Sequence, residues 1–340
     1  QNLAQAKQLA ADVEYQLLTE NYNVLKTTKK QKLRQVADQY IEFAKTQKRS
    51  WDRDVVSLKH ILNMEINNKK LGEFYLDSIK VSDVQKYQVK RKHELDQIFD
   101  QKGTAETKRS YASINREVAC LKHIYYVAIE WDFVEKNPIV SKAIKKFKEQ
   151  ERKRTIDDYE FQMLINKSSG HLHPIILIAL NTGMRLGEIL KLTWNDIIFE
   201  EQKITIKLTK NDEDRDVPIN NFLYNVLWKL PRKGSYLFTN RSGKPIKSIK
   251  TSWTTIRRKL EIKDLHFHDL RHSAATRMAK AKVTESVIAL ILGHKQRSMT
   301  SRYINPHWEE MVEAVEVLGT LCHELVTNSE SKQVHDGSNI

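Results

Sequence analysis

The sequence predicts a chain of two domains that is mainly α-helical, with one small β-sheet confined to the second domain. Its 340 residues, 40% of them hydrophobic, suffice for two separate cores. Glycine (10) and proline (6) are scarce, so helical periodicity runs unbroken over long stretches. Strand-like alternation is limited to "KITIKL" and "DVPI", which flank the polar "TKNDEDR" as the arms of a hairpin would.

Residues 3–26 read as one amphipathic helix, with Leu3, Ala6, Leu9, Ala10, Val13, Leu17 and Leu18 aligned. The basic "TTKKQKL" that follows is a joint. From 31 to about 140 come several helices. "VSDVQKYQVKRKHEL" opens with Ser82 and Gln85 in capping-box register and carries Lys86, Lys90, Arg91 and Lys92. "TKRSYASINREVACLKHIYYVAIEW" sets Ile114, Val118, Leu121, Tyr125 and Ala128 on a core face and leaves Lys108, Arg109, Arg116 and Lys122 off it. Either basic face is solvated or it meets phosphates; two such helices on one basic chain favour phosphates. Ser141 to Thr155 is a charge run without an apolar stripe and reads as a linker. The sequence thus divides into a leading helix (1–30), a helical domain (31–148), a mixed domain (152–326) and a polar tail (327–340) expected to be disordered.

Fifty-seven basic residues against 43 acidic ones leave a net charge of +14, which points to a polyanionic partner, nucleic acid first. Cys120 and Cys322, far apart in sequence, exclude a disulfide framework or a cysteine-rich zinc module and suit a reducing cytoplasm. Apolar runs such as "PIILIAL" are too short for a bilayer, and no signal-peptide pattern opens the chain. The expectation is a cytoplasmic protein without a membrane partner.

Four stretches of the second domain hold residues capable of chemistry. In "NTGMRLGEIL", Gly183 ends one helix and Arg185 stands in the first turn of the next, with Glu188 one turn on. An arginine there opposes the helix dipole, and with free backbone amides it would suit a phosphate; an ordinary ion pair with Glu188 is the other reading. Lys210 sits in the hairpin turn, where it could reach a ligand or pair with Asp212, Glu213 or Asp214. "LHFHDLRHSAATRMA" groups His266, His268, Arg271 and His272. His268 and His272 are i, i+4, as a metal pair would be, but Arg271 between them would repel a dication. His268 and Arg271, i, i+3, instead offer a proton-transfer group beside a phosphate ligand. Metal, phosphate and core network all stay open on this stretch alone. In "LILGHKQRSMTSRYINP", Gly293 breaks an apolar helix, His294 follows, and Tyr303 lies nine residues on, either a surface anchor or a nucleophile that needs activation.

Together these residues resemble the tyrosine recombinase, or phage integrase, family. Its order of Arg, Lys, His-x-x-Arg, His and Tyr is matched by Arg185 in "TGMRLGE", Lys210 in "LTKNDEDRDVPI", His268 and Arg271 in "HDLRH", His294 in "LGH" and Tyr303 in "SRYI". Lys207 is the alternative lysine, and "INP" follows Tyr303 where many relatives carry a histidine. The resemblance implies a two-domain DNA clamp: a helical core-binding domain over 31–148 and an α+β catalytic domain over 152–326 ending in an exchange helix. The helix at 1–30 is similar to the one that closes an arm-binding domain.

The family implies site-specific recombination of DNA through a 3′-phosphotyrosine, with integration and excision of a mobile element as the preferred role. Tyr303 would be the nucleophile, Arg185 and Arg271 the phosphate clamp, Lys210 the acid for the leaving oxygen, His268 the proton acceptor and His294 a hydrogen-bond donor. Glu188 and His272 would support them. Such chemistry keeps the phosphodiester energy in the covalent bond and calls for no cofactor and no metal. Lys86, Lys90, Arg91, Lys108, Arg109, Arg116 and Lys122 are the candidate DNA contacts. The implied partners are double-stranded DNA and three further copies of the chain, joined through the helix carrying Trp308, Met311, Val312, Val315, Leu318, Leu321 and Leu325, with a directionality factor as a further candidate. Rival readings are a chromosome-dimer-resolving recombinase, a type IB topoisomerase-like nicking-closing enzyme, a non-enzymatic DNA-binding relative and a histidine-metal hydrolase.

Overall fold

The structure is a computed structural model that describes residues 7–8, 10–11, 30–101, 103, 110–149, 152–207, 214–240, 242–262, 264–294 and 307–336, with side chains to 324. Of the expected first helix only Lys7, Gln8, Ala10 and Ala11 are described, as helical; the rest of it lies outside the described residues. The chain divides into two compact units, Gln1–Glu151 and Arg152–Ile340.

The first unit is built from α1 (Leu33–Gln47), α2 (Trp51–Asn63), α3 (Val81–Gln101) and α4 (Ala112–Glu130). A two-stranded ribbon, β1 (Glu65–Ile66) with β2 (Lys69–Lys70), turns through Asn67 and Asn68 at φ 52° and 61°, the left-handed conformation a tight hairpin needs. The predicted core face of α4 is buried: Ile114, Leu121, Tyr125 and Ala128 are at most 1% exposed and Val118 is 9% exposed. They pack with Leu33, Tyr40, Ile61, Ile66 and Tyr87. Helix α3 begins one residue before Ser82, and Asp83 rather than Gln85 closes its start, accepting the Lys80 backbone N–H at 2.9 Å.

The expected linker is corrected at both ends. Ile144 and Phe147 pack on the first core. Three amide side chains hold the strap around them: Gln85 donates to the Ala143 carbonyl, Gln88 to that of Lys145 and Asn115 to that of Phe147. Two apolar residues three apart on non-helical backbone carry no periodic signal, which is why the segment read as charge alone. Beyond it, Arg152 already belongs to the second unit, where it pairs with Asp264 and Asp269.

The second unit surrounds α6 (Leu172–Thr182), in which every residue but His173 is buried. Around it stand α5 (Asp158–Lys167), α8 (Asn221–Trp228), α10 (His268–Lys280) and α12 (Trp308–Asp336). Between α6 and α8 come the single turn α7 (Leu186–Ile189) and an antiparallel sheet of β3 (Ile197–Ile198), β4 (Lys203–Ile206) and β5 (Arg215–Pro218). Ile204 pairs with both Ile197 and Val217, so its side chain anchors the sheet to the core. Helices α9 (Lys250–Lys259) and α11 (Glu285–Leu292) complete the unit.

In this single chain Met311, Val315 and Leu318 of the apolar stripe of α12, with Ala314 and Cys322, are buried in their own domain. A polar lock fixes the seat: Asn220 Nδ2 donates to Asn181 Oδ1 and to the Val315 carbonyl, both at 2.8 Å. The helix also continues through the segment expected to be a disordered tail, to Asp336, because no glycine or proline interrupts the polar run before Gly337. Among the described residues no helix is long and apolar enough to cross a membrane.

Candidate active site

Two helix ends meet beside the start of α10. Helix α6 closes on Gly183 at φ 63° and α11 on Gly293 at φ 65°, both left-handed. Gly183 is also the residue the packing demands, since a Cβ there would overlap Leu292 Cδ2. Arg271, one turn into α10 and 4% exposed, bridges the two ends: its Nη1 donates to the Gly183 carbonyl at 2.8 Å and its Nη2 to the Leu292 carbonyl at 2.7 Å. Carbonyls at helix C-termini carry partial negative charge, so they orient a guanidinium without neutralising it.

Arg185 stands at the entrance to α7, its side chain 39% exposed. Its backbone N–H donates to Glu188 Oε2 at 3.0 Å and its Nη1 to Oε1 at 2.9 Å. The ordinary ion pair therefore exists, and the first amide expected to be free for a phosphate is taken by Glu188. The same carboxylate accepts both terminal nitrogens of Arg215, at 3.3 and 2.8 Å. His268 and His272 meet edge to face with ring centroids 5.1 Å apart. The His294 backbone N–H caps α11 on the Ala289 carbonyl at 2.9 Å.

The electrostatics follow from three guanidiniums around one carboxylate. Burial pushes the Arg271 guanidinium down, and Arg185 and Arg215 add to the effect against Glu188, bringing it to about 9. Burial also lowers His268, with His272, Arg271 and Arg185 behind it, and lowers His294, with Arg271, Arg185, His272 and Arg215 behind it. Glu188 is pushed up by burial, but the hydrogen bonds and charge of Arg215 and Arg185 hold it below the ordinary carboxylate value. Every perturbed cation here would be relieved by an anion. The chemistry of such a site suits an oxyanion such as phosphate.

Asp269 lies under the cluster, fully buried. It accepts Arg152 Nε and Nη2 at 2.7 Å each and the His266 backbone N–H at 2.7 Å. This fastens the start of α10, so His266 acts through its backbone. Among the described residues His266, His268 and His272 join no group of three or more potential metal ligands. Lys210 and Tyr303 lie outside the described residues. Lys207 pairs with Asp196 at 3.3 Å and is 63% exposed.

The family model of the phage integrases matches residues 136–310, just over half of the chain. The chain belongs to the phage integrase family. It is similar to the shufflon-specific DNA recombinase of Escherichia coli, 31% identical over 197 residues that cover 56% of this chain and 50% of that protein. The chain thus spans about half the length of that relative. It is also similar to the tyrosine recombinase XerA of Pyrococcus furiosus, 32% identical over 61% of this chain and 74% of that one. Among solved structures, the Tn1549 transposon integrase in complex with a circular intermediate DNA shares the fold, with a TM-score of 0.63 at 22% identity over 82% of this chain and 97% of that chain. A lambda integrase from a tetramer bound to a Holliday junction gives a TM-score of 0.59 at 18% identity, over 88% and 89%. These integrases and this chain share a mainly helical fold.

In the first unit of this integrase the candidate DNA contacts separate. Lys86 Nζ donates to Asn67 Oδ1 and Lys90 Nζ to the Glu65 carbonyl, both from exposed positions on the ribbon side of α3. Lys122 lies over the Tyr126 ring, and Arg116 is 67% exposed with Glu149 at 4.0 Å. Lys108 and Arg109 lie outside the described residues. Arg91 is a correction: it is 6% exposed, bonded to Glu117 and Glu94, and its charge is spent inside the domain. Sequence reading missed Arg215 and the Arg152–Asp269 pair. Neither had a local signal, because their partners stand 27 and 117 residues away.

Proposed function

We propose that this chain carries out site-specific DNA recombination, integrating and excising a mobile element in the cytoplasm. The observation that supports it is the pairing of Arg185 and Arg215 on Glu188 beside the buried Arg271, flanked by His268 and His294: a receptor for the charge that grows on a phosphate as a nucleophile adds. Tyr303 Oη attacks the scissile phosphorus, the bond to the 5′-oxygen breaks, and Lys210 gives that oxygen its proton. His268, neutral at physiological pH because its pKa is held down, accepts the tyrosine proton. Arg185 and Arg271 clamp the non-bridging oxygens, and His294 donates to one of them. The reverse sequence, with the 5′-hydroxyl of a partner strand as nucleophile, rejoins the DNA.

Lys86, Lys90, Lys108, Arg109, Arg116 and Lys122 hold the duplex through phosphates, while base contacts select the site. Four protomers act on two sites, with α12 trading the seat on its own domain for the identical seat on a neighbour. The Tn1549 and lambda integrase folds support the mobile-element role and the tetramer. A directionality factor would bias excision over integration.

The test is covalent trapping on a library of nicked duplexes, followed by sequencing of the trapped DNA. A protein–DNA adduct at a defined sequence, lost in Tyr303→Phe, is expected. An adduct that survives Tyr303→Phe refutes the nucleophile, and relaxation without recombinant product between two marked duplexes refutes recombination. Recovered sites in element ends, rather than a single chromosomal locus, separate the mobile-element role from dimer resolution.

A further inference from the structure

Arg215 opens β5, five residues after Lys210. Its guanidinium forks onto Glu188, Nη1 to Oε1 and Nη2 to Oε2, while Arg185 supplies its own Nη1 and backbone N–H to the same two oxygens. A carboxylate offers about four acceptor positions, and here four donors occupy them, so Glu188 has no freedom left to turn. Exposure rises along the chain of contacts: the side chains of Arg215 and Glu188 are 12% and 15% exposed, that of Arg185 39%. The buried arginine is the base and the exposed one is the tip.

The other side of Arg215 lies against Gly293. A Cβ at that glycine would come within 2.6 Å of Nη1 and 2.8 Å of Nε. Gly293 separates Leu292, whose carbonyl holds Arg271, from His294. Among the described residues, Arg215 Nε is itself buried without a hydrogen-bond partner. A pair kept only to stabilise the fold gains nothing from such an orphan, and a buried ion pair is in general a weak source of stability. The arrangement makes sense as a spacer between the anchor of Arg185 and the turn carrying His294.

We infer that Arg215 is a positioning residue for phosphate capture, holding Glu188 against Arg185 and setting the gap between Arg185 and the Gly293–His294 turn. This rests on the strand-transfer reading above. A lysine keeps the charge but cannot fork. Arg215→Lys therefore slows adduct formation on the trapped duplexes roughly ten- to hundred-fold, the cost of a misplacement of about an ångström. Duplex affinity stays within about twofold, because the loss falls on the transition state.

Glu188→Gln acts in the same direction, and the double variant is no slower than the slower single one. Multiplied losses, or an unchanged rate in folded Arg215→Lys, overturn the inference; Arg215→Gln replaces the lysine variant if that one does not fold. Thermal unfolding in inorganic sulfate reads the same site without DNA: the wild-type midpoint rises, and Arg215→Lys loses most of that rise. If wild type forms no adduct on any duplex, the recombinase reading fails. The sulfate response then decides alone, and equal responses of wild type and Arg215→Lys refute the positioning role.

Discussion

Arg91 and Arg271 are buried to nearly the same degree, one in each unit, and their surroundings are opposite. Arg91 faces Glu117, which also accepts the Tyr87 hydroxyl at 2.7 Å, and Glu94. Burial pushes Arg91 down, yet the bonds and charge of Glu117 outweigh it and the guanidinium ends above its ordinary value. Arg271 bonds to two carbonyls, has two neighbouring guanidiniums and, among the described residues, no hydrogen-bonded carboxylate; it ends at about 9. A buried arginine with its counter-charge in place is finished; one whose counter-charge is missing is arranged for a ligand. We read the contrast as one between a structural charge and a proposed functional one.

That contrast predicts a crossed outcome. Arg91→Ala leaves Glu117 buried and unpaired and should lower stability by about 3–5 kcal/mol in denaturant titration, with adduct formation by the folded protein unchanged. Arg271→Ala should leave stability nearer to wild type and cut the adduct rate by roughly 10²–10³, the usual cost of losing a charge-stabilising donor. Similar behaviour of the two variants would dissolve the distinction.

A pH titration examines the functional side alone. His268 and His294 are held below the ordinary histidine value of 6.5, first by burial and then by the neighbouring cations. The unfolded chain therefore takes up these protons at higher pH than the folded one. Stability should fall as pH drops through 6.5 and level off only below the folded pKa values. Imidazole C–H titration by NMR should give midpoints under 6.5 for both rings, moving upward in sulfate. No upward shift would mean that the cationic cluster is not an anion receptor.

The smallest effect concerns the lysines. Lys207 is exposed and its largely buried partner Asp196 keeps the Thr193 backbone and hydroxyl donors, so Lys207→Ala should change stability by about 1 kcal/mol and leave the adduct rate alone, whereas Lys210→Ala removes most of it. The reverse result would make Lys207 the acid.

Much of this molecule could be read in advance, and the exceptions share a cause. The core face of α4, the β4–β5 pairing and the helical start at His268 follow from spacing within a few residues, where period and propensity act. The set Arg185, His268, Arg271 and His294 could be picked out because its order and local context resemble the family's; taken singly, each residue left its role open. Arg91 was misjudged because a basic run on a helix reads as solvated or phosphate-bound until its partner, 26 residues on, is known. The strap at Ile144 and Phe147 and the hold of Arg152 on Asp269 were equally out of reach.

Local periods were thus enough to place the helices, and the resemblance of an ordered set of motifs was enough to name the family and its candidate phosphate-handling groups. Which charges are neutralised, which are left waiting and what holds them in place depend on side chains brought together from distant parts of the chain. Burial removes the solvent that would screen a charge, so its partner sets its role, and only the tertiary fold chooses the partner.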